Sequence, residues 1–356
     1  MMWLFGRNID LTTLFFPVWA VWILLFCIPS QTLDAEIPLW VWVVGVLMID
    51  VAHVWSTIFR TYFDKAEFAN HKRLLGLAPI LCFVILFTVA SESIDWFWRG
   101  MAYLALFHFI KQQYGFFALY SVRSGAMKVK RYISDKFAIY LSMLYPVLFW
   151  HLNFRDFNWF VDGDFIQFQM DSLLLWQILN TFYWLILAGW LTDEIRLIKH
   201  GSIRLSLGRI LWLFTTAINW YLGIIYFNSD LAFTLTNVVA HGVPYIVLII
   251  FYQSTKQADS SQKKISPTLA IGSLVIIGSL FFAFGEEYLW DLLLSQDKQE
   301  LFGSWITYPE ITNTRFQAIA LALLSLPQVV HYVLDGFIWK MNDSNPHLRI
   351  MMKLNE

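Results

Sequence analysis

Four pairs of side chains combine a histidine with a polar group one helical turn away: Asp50 with His53, His108 with Gln112, Asn237 with His241, and His331 with Asp335. Residues three or four apart share a helix face, so each pair presents an imidazole beside a hydrogen-bonding partner. A metal centre uses this combination, because a ligating imidazole gives its second N–H to a carboxylate or amide that fixes tautomer and orientation. The same pair can also staple two helices together inside a membrane. One pair alone reads as a staple, whereas four read as a ligand set. The expectation is that His53, His108, His241 and His331 hold a metal and that Gln112 and Asn237 orient them. Asp50, Lys111 and Asp335 are then the groups for proton and charge chemistry. Lys111 begins the run Lys111-Gln112-Gln113-Tyr114, a costly cluster for mid-membrane, and is expected to pair with Asp50 or Asp335 or to snorkel toward the interface.

The elements that must position these groups are apolar helices. The 356 residues are 58% hydrophobic and 14% charged, against roughly 25% charged in an average soluble domain. Apolar runs of about 20 residues, enough to cross a bilayer, occur near 11–29, 38–59, 75–91, 96–120, 136–152, 171–193, 207–227, 231–254, 267–285 and 315–338. The expected fold is therefore all-α, a polytopic transmembrane bundle of about ten spans forming one integral-membrane domain over 1–356. With the N-terminus in the cytoplasm, all but five of the lysines and arginines (Arg99, Lys111, Arg155, Lys298, Arg315) fall in inward-facing segments. That bias predicts cytoplasmic termini and a multi-pass protein of the bacterial inner membrane. Arg60 reads as a cytoplasmic anchor of its span, and Ser254–Lys264 as a solvated linker. The outer segment 286–314, with its Tyr308-Pro309 turn, reads as a loop able to act as a lid. A net charge of −1 offers nothing to nucleic acid. Cys27 and Cys82 sit inside apolar runs and read as inert thiols.

In this topology the four histidines lie on spans running in the same direction. Measured to the next cytoplasmic basic residue (Arg60, Arg123, Lys256, Lys340), their depths spread over about 12 Å at 1.5 Å per residue. They are close enough to meet if the helices tilt. Nitrogen and carboxylate donors without a thiolate cluster point to iron, with zinc or manganese next. A haem between His108 and His241 is a further possibility. Pro327 is expected to bend the last span, and Gly242 with Pro244 to loosen the eighth. Thr215, Thr216 and Asn219 read as staples.

Single histidines on the inner halves of separate apolar helices resemble the integral-membrane non-haem iron oxygenases. Among them, the pattern is nearer to the bacterial carotene-cleaving dioxygenases than to the desaturases, whose HxxxH and HxxHH boxes are absent here. The resemblance implies an iron-dependent dioxygenase or other oxidoreductase of lipid metabolism, acting on a membrane lipid or isoprenoid. His241-Gly242 also resembles the histidine of membrane-bound O-acyltransferases, which would make His241 catalytic. The Asp/His/Lys set fits a proton-coupled transporter as well.

Overall fold

The protein is described by a computed structural model covering residues 2–33, 35, 37–170, 172–261, 268–303, 313–341 and 345–351. It is all-helical, with no strand among the described residues. Helices α1 (Arg7–Cys27), α2 (Leu39–Arg60), α3 (Lys65–Glu92), α6 (Leu173–Lys199), α8 (Asp230–Ser261) and α9 (Thr268–Ser295) are each long and apolar enough to cross a membrane. A seventh span results if α10 (Thr314–Leu324) and α11 (Leu326–Ile338) count as one helix bent by 41°. These helices mark an integral membrane protein. Three further helices pack in the same bundle: α4 (Ile94–Ser124), α5 (Asp135–Leu152) and α7 (Leu207–Trp220, continued as a π turn through Tyr221–Tyr226). Each is diluted by polar residues, such as His108 and Lys111-Gln112-Gln113 in α4 and Thr215, Thr216 and Asn219 in α7.

The helix starts are written in the sequence. Side chains of Asp64, Ser93, Ser134, Ser172, Ser206 and Asn313 accept backbone N–H bonds at the first turns of α3, α4, α5, α6, α7 and α10, satisfying donors the helix itself leaves orphaned. Gly125, in the left-handed region at φ 78°, terminates α4. The bend between α10 and α11 falls at Ser325, just before Pro327, whose missing N–H and ring stop a straight helix from continuing.

Helix α8 is central: 72% of its apolar stretch is buried, against 17% in each of α6 and α9. It packs on α2, whose close approach depends on Gly242. A Cβ there would lie 2.7 Å from Ile49 Cγ2 and 3.0 Å from the Ile49 carbonyl oxygen. The peripheral faces carry exposed Leu173, Leu174, Leu269, Ile277 and Phe281, as lipid-facing surfaces should. One end of the bundle is locked by buried charge. Arg209 and Glu194 are fully buried and paired; Arg131 joins Glu194 at 2.7 Å and Asp135 at 3.1 Å.

Three expectations change at this level. Arg60, read as an anchor at the end of its span, is fully buried instead of reaching solvent, with its guanidinium 3.6 Å above the Tyr252 ring and 4.6 Å from that of Trp339. Cation–π contact and hydrogen bonds to the Ile338 carbonyl and Asn345 replace its hydration. Residues 286–295 continue α9 instead of forming a loop, while 304–312, with the Tyr308-Pro309 turn, lie outside the described residues. The supposed linker is helical as far as Ser261, and Lys256 bonds Asp64 at 2.7 Å, tying α8 to the start of α3.

Candidate metal centre

The four histidines come from α2, α4, α8 and α11 and meet. One ligand atom from each of His53, His108, His241 and His331 can be chosen so that all lie within 4.8 Å of one another. His241 Nε2 is 3.1 Å from His53 Nε2, and His331 Nε2 is 3.1 Å from His108 Nε2. Every ring is at least 96% buried. Four nitrogens bound tetrahedrally at about 2.0–2.1 Å would be about 3.4 Å apart. The two 3.1 Å pairs are near that spacing, and the wider pairs, up to 4.8 Å, would have to draw in for the cage to hold a metal ion. A haem does not fit. The His108 and His241 centroids are 4.9 Å apart, and His53 and His331 fill the flanks where a macrocycle would extend.

Hydrogen bonds set one tautomer. Tyr245 donates its hydroxyl proton to Asp335 Oδ1 at 2.6 Å, so at its 2.9 Å contact with Thr57 it can only accept. Thr57 thus spends its own proton on Tyr245, and its 2.7 Å contact with His331 Nδ1 requires that nitrogen to be the donor. His331 Nε2 is left with a lone pair facing the cage. Asp50 Oδ1 stands 3.5 Å from His53 Nδ1, in position to favour the same tautomer there. His53 Nδ1 and His241 Nδ1 have no hydrogen-bond partner. Phe109 lies flat on the His241 ring at 3.6 Å, and Tyr332 stacks on His108 at 4.4 Å, so two of the rings are clamped by aromatic faces.

The local elements explain the convergence. Residues Trp42–Val51 of α2 form a widened π-helical stretch that returns to α-helix at Ala52, just ahead of His53. Such insertions re-aim side chains and are common at functional sites. Gly242 admits α2 beside His241, and the bend before Pro327 turns His331 inward.

The polar partners divide. Asp335 sits beside two of the rings, Oδ1 3.8 Å from His331 Nδ1 and Oδ2 3.9 Å from His108 Nε2. Gln112 does not serve His108 on its own helix; it donates to the His241 backbone carbonyl at 2.7 Å. Asn237 is spent on its own helix, donating to the Phe233 carbonyl, and so does not orient His241. Lys111 pairs with neither Asp50 nor Asp335. It is exposed, 3.4 Å from the Tyr140 hydroxyl. Thr57, Tyr245 and Phe109 escaped the sequence reading. Thr57 and Tyr245 lie four residues beyond His53 and His241, the spacing that should have exposed them. Thr215 and Asn219 accept the Trp19 and Trp22 indole N–H groups, and Thr216 donates to Gln113, so all three staple helices.

Among the described residues three cavities approach the cage; one, of about 170 Å³ with apolar walls, reaches His331 and Thr57 beside Tyr62 and Pro327, and the other two differ in size and character. One of about 750 Å³ runs between α4 and α11, from His108, Tyr245 and Asp335 past Gln112, Lys111 and Gly115 to Lys340, with mostly apolar walls. The other, of about 260 Å³, opens at the end of the bundle bearing Trp42 and reaches Asp50. No family model matches the chain, and neither does a curated protein or a solved structure.

Proposed function

We propose that the chain is a metal-dependent membrane oxidoreductase, a non-haem iron oxygenase acting on a lipid or isoprenoid. The observation that carries the reading is the cage itself: four buried imidazoles from four helices with no thiolate among them. Four neutral nitrogens in an apolar surround suit iron or zinc, and the apolar cavity against His108 favours a redox ion over a purely structural one. Bound iron would supply dioxygen activation, and His53, His108, His241 and His331 would hold it.

The chain's own groups then have assigned work. The large cavity, within the usual size range of small-molecule sites, would admit an apolar chain from the side of the bundle. Lys111 and Lys340 would hold the polar end of that substrate, since both line the cavity. Tyr245 and Asp335, at the cavity's inner wall, share a proton across 2.6 Å and are placed to pass it to bound substrate. Asp50 would steady His53. In the membrane the reading continues to ten spans and cytoplasmic termini, with α4, α5, α7 and the bent α10–α11 pair completing the six.

The test is elemental analysis of detergent-purified protein prepared without chelators, with an optical spectrum of the same sample. Stoichiometric iron without a Soret band is the expected outcome, and turnover of long-chain and polyene lipids is the next assay. Absence of any stoichiometric transition metal would remove the proposal and leave the imidazoles as hydrogen-bonded staples.

A further inference from the structure

The cavity of about 260 Å³ shares no lining residue with the lipid-facing one and has the opposite chemistry. Asp50, Glu286, Glu287 and Asp291 line it; among the described residues Lys298 is its only basic residue and is paired with Asp297. Glu286 is held by the Trp55 indole N–H at 2.5 Å, two residues past His53. At the inner end Asp50 faces His53 Nδ1, a nitrogen with no hydrogen-bond partner on a ring only 1% exposed.

We infer that this acidic cavity is the path by which a hydrated divalent cation reaches the four-histidine cage. The inference rests on the metal-centre reading. An ion must shed water before entering an apolar bundle, and carboxylate oxygens can replace that hydration stepwise. A narrow, single-sign cleft with low-dielectric walls also concentrates counter-ions at its mouth. Oxygen donors at the rim and nitrogen donors in the cage form a gradient: late first-row dications pass from weaker, hard ligands to a tighter imidazole set. Asp50, at the boundary, is the last oxygen donor before His53. The apolar cavity is lined by Lys111 and Lys340 and, among the described residues, by the single carboxylate of Asp335, so it offers no comparable series of oxygen donors.

A path alters rates and leaves equilibrium alone, and that property gives the test. Metal-free protein is mixed with Co²⁺, and loading is followed by the visible bands of the bound ion; release to excess chelator is followed in reverse. Glu286→Gln with Glu287→Gln should slow loading and release by the same factor, about tenfold or more, with final stoichiometry and affinity unchanged. Loading of the unsubstituted protein should also slow as salt rises, and less so in the double variant. A control carrying Glu92→Gln and Asp95→Asn, both exposed carboxylates outside the cavity, should load at the normal rate. Should the double variant fail to fold, Glu287→Gln alone and the salt dependence carry the same comparison. Normal Co²⁺ uptake that is lost in His241→Ala yet indifferent to Glu287→Gln and to salt would overturn the path and leave the metal centre standing. An unsubstituted protein that takes up no Co²⁺ would overturn both.

Discussion

At the scale of the residue, the cage depends on which nitrogen of each ring carries the proton. The chain His331–Thr57–Tyr245–Asp335 fixes one of them through three hydrogen bonds and ends on a carboxylate. Tyr245→Phe removes the middle link and frees the Thr57 proton to turn toward His331 Nδ1. That favours the tautomer protonated at Nε2, the nitrogen that faces the cage and would then be unable to ligate. Metal affinity should fall about 10- to 100-fold, the usual cost of losing an outer hydrogen-bond partner, while the protein stays folded; a competition titration reads this directly. Alanine at His53, His108, His241 or His331 should abolish stoichiometric metal, whereas His71→Ala and His200→Ala should retain it. The four rings could be read from the sequence because each sits in an apolar helix where an ionisable group is expensive. Their partners were legible only in part. Spacing shows what shares a helix face and cannot show that Gln112 would reach across to His241 or that Asn237 would turn to its own backbone.

At the scale of the element, position is set by close helix contacts and caps. Gly242→Ala places a methyl group against the Ile49 backbone, and overpacking of this kind costs about 1–3 kcal/mol. The α2–α8 pair should separate and metal binding should weaken with stability; a thermal melt and a metal titration on the same sample would check that the two fall together. Asp64 gives a pH-dependent case. Burial works to raise its pKa, but the Lys256 hydrogen bond, the Glu67 N–H and the Lys256 charge outweigh burial and hold the carboxyl below its ordinary range. Its contribution is therefore fully present above the unfolded-state value and is lost as pH falls through the lower folded-state value. Asp64→Ala should cost about 1 kcal/mol near neutrality, as a lost helix cap does, and progressively less in acid, measured by denaturation across pH. Helix positions were readable from the apolar runs, and the cap residues mark their starts. The π-helical stretch Trp42–Val51 was not, because a widened turn has the same apolar composition as an α-helix.

At the scale of the whole molecule, the four-histidine cage lies between two cavities of opposite character, one apolar beside His108 and one acidic beside Asp50. The depths read along the spans, spread over about 12 Å at 1.5 Å per residue, allowed the histidines to meet and did not fix where. The cavities were invisible in the sequence because they form between elements far apart in the chain, α4 with α11 and α2 with α9. The arrangement implies that metal binding and lipid binding can be separated by substitution. Gly115 lines the apolar cavity, and a Cβ built there meets nothing within 4 Å, so a larger side chain would grow into the cavity without displacing α4. Gly115→Leu should leave metal content at the unsubstituted level and reduce lipid turnover at least tenfold, because the added side chain occupies space the substrate needs and touches none of the four imidazoles. Metal analysis and a lipid turnover assay on one preparation decide it. Unimpaired turnover would show that substrate reaches the cage by another face, and loss of metal would show that the cavity wall and the cage are one mechanical unit.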